Sequence, residues 1–75
     1  MKIKNYTVIL KSEPKGGYTA IVPSLPGCVT YGKTIEKAKE MAKDAIEGYV
    51  TSLRKHNEDV PEEEGVFLTS VFANA

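Results

Sequence analysis

Between Ile35 and Leu53 the apolar residues Ile35, Ala38, Met41, Ala42, Ala45, Ile46, Tyr49, Val50 and Leu53 fall at spacings of 3, 3, 1, 3, 1, 3, 1 and 3. That spacing places them in one stripe on a helix of about five turns. Thr34 suits the N-cap, and Glu36 puts a carboxylate in the first turn, where the helix dipole favours it. The capping box is incomplete, because Lys37 stands where Glu or Gln would close it. Arg54, Lys55 and His56 bring cations to the last turn, and Asn57 is a left-handed stop. The opposite face carries Lys37, Lys39, Glu40, Lys43, Asp44 and Glu47 and is solvated. No other segment has this period. A single amphipathic helix covers one face of one sheet, so the rest of the chain must supply strands and turns.

Residues Ile3 to Lys11 alternate, with Tyr6, Val8 and Leu10 on one side and Ile3, Thr7 and Ile9 on the other. Ser12 to Gly17 holds a Pro and two adjacent Gly and reads as a reversal. Tyr18 to Val22 is a second strand, stopped by Pro23. Pro23 to Gly27 packs two Pro and one Gly into five residues, and Pro26-Gly27 fits the central positions of a type II turn. Leu25, apolar between the prolines, is expected either against the sheet or offered to a partner. Cys28 to Gly32 forms a short third strand. Glu58 to Gly65 is an acidic loop, and Val66 to Ala73 is a β run apolar on both sides, as expected inside a sheet or against another molecule. The expected fold class is α+β in the order β-β-β-α-β, a three-strand antiparallel meander with a fourth strand parallel to the first. One sheet face, carrying Ile9, Ile21 and Tyr31, is left partly open and calls for a partner.

Composition narrows the function. Seventy-five residues give one small core, and one Cys with one His allows neither an internal disulfide nor a closed four-ligand zinc site. Self-association or a partner is therefore expected. Ten basic and ten acidic residues cancel, which argues against a dedicated nucleic-acid binder and against an acidic nucleic-acid mimic. No apolar run approaches the ~20 residues of a membrane span and no leader pattern opens the chain, so the expectation is a cytoplasmic protein with no membrane contact.

Catalytic patterns are absent. Cys28 reads as a small apolar residue and His56 as a solvated residue at the helix end, rather than as a nucleophile and base. A metal-dependent nuclease of ribonuclease H type needs carboxylates on its first strand, and Ile3 to Leu10 contains none. Gly16-Gly17 precedes a strand and is a hairpin turn, not a phosphate loop. Aromatics on the strands suit core or dimer contacts better than base stacking in the absence of a basic excess. The expectation is a non-enzyme without cofactor or metal.

The run Gly17-Tyr18-Thr19-Ala20-Ile21-Val22-Pro23-Ser24-Leu25-Pro26-Gly27-Cys28-Val29-Thr30-Tyr31-Gly32-Lys33-Thr34, followed by an Ala-rich amphipathic helix, resembles the HicB-like antitoxin family. The shared pattern is Gly-Tyr, a short strand, Pro-x-Leu-Pro-Gly-Cys, three residues, Gly-x-Thr and the helix. Ser24 and Lys33 depart from it where many members carry acids. The resemblance implies a reduced ribonuclease H-like fold without catalytic carboxylates. It also implies homo-oligomers, dimeric or tetrameric, and a HicA-like toxin as partner, a small basic mRNA-cleaving RNase. Complete members add a C-terminal DNA-binding module, so residues 1–75 are expected to be a single short-form domain without direct DNA binding.

Two sets of residues follow. Gly17, Tyr18, Pro23, Leu25, Pro26, Gly27, Cys28, Gly32 and Thr34 are expected to be structural, as turn, strand and cap. Glu36, Glu40, Asp44 and Glu47 on the helix, with Glu62, Glu63 and Glu64 in the loop, are expected to meet the partner. The alternative is an orphan structural, small-ligand or RNA-binding module with no toxin.

Overall fold

The computed structural model describes residues 4–63 and 65–75. Three short strands, β1 (Ile9–Ser12), β2 (Tyr18–Ile21) and β3 (Val29–Gly32), precede one helix, α1 (Ile35–Lys55). The sheet runs β1-β2-β3, antiparallel throughout, with Leu10, Ala20 and Thr30 in one cross-strand row and Ser12, Tyr18 and Gly32 in another. The fold is α+β, a meander covered on one face by a single helix.

The helix keeps the expected limits. Thr34 is extended (φ −126°) and its hydroxyl accepts from the Lys37 N–H at 3.0 Å. Asn57 takes φ 55° and ends the helix in the left-handed region. The stripe packs closely because it is built from small residues: Ala38 and Ala42 lie against Ala20 of β2 with no exposed surface or almost none. A second cluster joins Val22, Leu25 and Cys28, with Tyr6, Ala45, Ile46 and Tyr49 against it. Among the described residues Leu25 is the one large side chain fully buried. The core is small, as a chain of this length dictates.

The strands are shorter than expected, the first most of all. The first strand, expected over 3–11, joins the ladder only at Ile9; Ile3 lies outside the described residues. The register pairs Ile9 with Ile21 and Leu10 with Ala20, which would bring Thr7 opposite Pro23. Pro has no N–H to donate, and the chain turns away there, so residues 4–8 lack a strand neighbour on that side.

The fourth strand is not part of this sheet. Residues 66–73 carry no ladder bonds and stand in solvent, with Phe67 86%, Val71 84% and Phe72 fully exposed. β propensity expresses packing against neighbours, and among the described residues no strand pairs with this segment. α1 rests on β3 and β2, leaving the outer flank of β1 uncovered. The outer sheet face is also open, through Ile9, Val29 and Tyr31.

Candidate functional site

The loop from Val22 to Cys28 is closed by its own backbone. Val22 N–H donates to the Cys28 carbonyl at 3.0 Å, Leu25 N–H to Val22 at 3.1 Å and Cys28 N–H to Leu25 at 2.9 Å. The last bond spans Pro26 and Gly27, and Gly27 has the positive φ (+81°) of a type II turn. Pro23, Pro26 and Gly27 face water while Leu25 and Cys28 point inward, so Leu25 belongs to the core rather than to a partner. Burial pushes the Cys28 thiol up, which disfavours a reactive thiolate. The Tyr49 hydroxyl donates to the Pro26 carbonyl at 2.8 Å and ties the loop to α1.

The remaining motif residues join the same frame. Tyr18 pairs with Gly32 across β2 and β3. Gly32 is buried, and a Cβ there would run into the backbone of Lys37 and Ala38 at the start of α1. Gly17 (φ +82°) lies beneath the Tyr31 ring, whose hydroxyl donates to the Gly16 carbonyl at 2.9 Å. Together with the Thr34 cap, these residues fix where the helix leaves the sheet.

The acidic residues divide into two kinds. Glu63 is engaged within the chain: its carboxylate accepts from the Thr7 N–H (2.9 Å), the Thr7 hydroxyl (2.9 Å) and the Ser24 hydroxyl (2.8 Å). These bonds hold its carboxyl below the usual range, the Thr7 N–H first among the causes, then the Ser24 and Thr7 hydroxyls. Glu62 pairs with Lys4 at 2.8 Å, and the Tyr6 hydroxyl donates to the Pro61 carbonyl at 2.8 Å. The acidic loop is thereby fastened to the segment ahead of β1 and to the motif loop. Glu64 lies outside the described residues.

Glu36, Glu40, Asp44 and Glu47 are different. All four are exposed on α1, and at 100° per residue they share a stripe about 80° wide. Among the described residues none of them is in an ion pair or a side-chain hydrogen bond. They form an acidic stripe on the solvated face of α1, flanked by Lys37, Lys39 and Lys43, and Glu47 also borders the groove beside the segment ahead of β1.

Sequence reasoning missed Thr7 and Ser24 as partners of Glu63. The available signal was Pro23, which leaves Thr7 without a ladder neighbour. Among the described residues no group of three or more His, Cys, Asp or Glu is placed to hold a metal, and no helix is long and apolar enough to cross a membrane. His56 is exposed at the end of α1, its Nδ1 2.8 Å from the Ser52 carbonyl.

Comparison with known proteins gives a consistent result. The family model described as the HicB-like antitoxin of bacterial toxin-antitoxin systems matches residues 6–71. A UPF0150 protein of Thermoplasma acidophilum is 45% identical over 64 residues, 85% of this chain and 93% of the relative. A UPF0150 protein of Synechocystis sp. is 44% identical over 63 residues, 84% of this chain and 80% of the relative. Antitoxin HicB 1 of Photorhabdus laumondii is 39% identical over 61 residues, covering 79% of this chain and 39% of that longer protein.

Proposed function

The chain belongs to the HicB-like antitoxin family, and from that premise we propose that it is a non-catalytic, self-associating antitoxin that neutralises a small basic HicA-like RNase by protein contact. The observation that carries this reading is the stripe of Glu36, Glu40, Asp44 and Glu47, four exposed acids on one helix face with no ion pair or side-chain hydrogen bond among the described residues. Against a basic toxin such a stripe raises the encounter rate and selects the partner by charge. Glu62 extends the acidic surface at the loop, whereas Glu63 acts on the antitoxin's own fold.

Its contact is with protein rather than DNA, in keeping with the cancelled charge. The setting is the cytoplasm, where an mRNA-cleaving toxin acts. In the assembled protein the segment 66–73 supplies the fourth strand of the reduced ribonuclease H-like sheet.

Competition titration against the toxin at two salt concentrations tests the reading. Binding weakens at the higher salt, and Glu40→Lys with Asp44→Lys lowers affinity while leaving the melting temperature in place, because both residues are exposed. Salt-insensitive binding, unaffected by the double reversal, would contradict it.

A further inference from the structure

An open groove of about 810 Å³ runs between the segment leading into β1 and the overhanging flank of α1. Tyr6, Val8 and Leu10 line its apolar part from the sheet side and Ala42, Ile46 and Val50 from the helix, with charged side chains, Glu47 among them, lining the rest. β1 has a neighbour on one side only, so its outer edge offers backbone groups for a further strand. The groove therefore has the three requirements of a strand site: an unpaired edge, an apolar floor and a helix above.

The same chain carries an unpaired strand. Residues 66–73 (VFLTSVFA) contain no charge and alternate Val66, Leu68, Ser70 and Phe72 with Phe67, Thr69, Val71 and Ala73. At about 3.3 Å per residue the eight span roughly 26 Å, close to the roughly 22 Å of α1 from Lys39 to Arg54 that borders the groove. The arm does not lie in its own groove. Its root is fixed by the Glu63 bonds to Thr7 and Ser24, the chain turns at Gly65 (φ +72°), and Phe72 beyond it is wholly exposed.

We infer that residues 66–73 of one copy dock in the β1–α1 groove of a second copy, adding the fourth strand in trans. This deepens the self-association proposed above and rests on it. Each copy presents one arm and one groove, so reciprocal exchange closes about a two-fold axis and leaves neither unused. Backbone pairing with the β1 edge supplies register, and the alternating side chains supply the apolar contact, one face toward Ile46 and Val50 and the other continuing the open face at Ile9. Four Phe rings at about 150–250 Å² each, with the Leu and Val residues of two arms, approach the roughly 1,200–2,000 Å² of a stable interface.

The test is an isotope-filtered NOE experiment on a mixture of labelled and unlabelled full-length chains, with the mass measured by sedimentation. The expected result is an assembly of two 8.2 kDa chains with interchain NOEs from Phe67 or Phe72 to the methyls of Leu10, Ile46 and Val50. Phe67→Asp with Phe72→Asp, placed on residues largely exposed in the single chain, yields a folded monomer by dispersion of the amide spectrum. A dimer whose arm NOEs are all intrachain, or absent, or whose mass survives the double substitution, overturns the exchange but leaves self-association standing. A monomeric wild-type chain overturns both.

Discussion

Glu63→Gln preserves side-chain shape while removing the charge that Thr7 and Ser24 hold. The native carboxyl titrates below its ordinary 4.5, so the stabilisation it provides is complete above that pH and is lost as pH falls through the folded-state value. Urea melts of both proteins across the acid range should show a gap that is constant near neutrality and closes as Glu63 protonates; a gap independent of pH would contradict the role given to the charge. The glycines separate two other mechanisms. At Gly27 there is open space but a positive φ, so Gly27→Asn is tolerated better than Gly27→Val. At Gly32 the obstacle is backbone, and Gly32→Ala should cost about 1–3 kcal/mol in chemical denaturation. Thr30 works in the other direction. Its Oγ1 is buried without a partner in the described structure, so Thr30→Val should leave stability equal or raise it by about 1 kcal/mol.

The elements differ in how much of them could be read from the residues alone. α1 was legible to its caps because each signal is local: a period in the stripe, a hydroxyl at Thr34, a left-handed stop at Asn57. Thr34→Ala should therefore lower stability by about 1 kcal/mol, read as a shift in the denaturation midpoint with the slope unchanged. The Pro26-Gly27 turn was equally plain, since its chemistry lies in two adjacent residues. Strand limits were less legible, because pairing depends on what stands opposite, and the register that sets Thr7 against Pro23 is a property of two strands. The arm shows the same dependence more strongly. Its composition predicts a strand, but residues 66–73 carry no ladder bonds in this chain, because a strand needs a neighbour that no residue within the run can specify. In the candidate site, the helix acids were visible as an exposed face, whereas the engagement of Glu63 by Ser24, 39 positions away, required the fold.

At the scale of the molecule, a radius of gyration of 14.1 Å exceeds the ~11 Å expected for 75 compact residues, and the extents of 43 × 28 × 19 Å are those of an elongated body. Among the described residues the body has one fully buried large side chain, an open sheet face and an open groove beside β1, and the proposed self-association would cover the last two. In such a body the margin is thin: Leu25→Ala, at about 2–5 kcal/mol, should leave the isolated chain largely unfolded by circular dichroism. The two proposed contacts meet at Glu47, which lines the groove and also belongs to the acidic stripe, while Glu36, Glu40 and Asp44 lie outside the groove. The most direct test is an RNA-cleavage assay with a HicA-like toxin, titrated with this protein. Stoichiometric loss of cleavage that Glu40→Lys with Asp44→Lys relieves is the predicted result; undiminished cleavage at saturating protein would contradict the account.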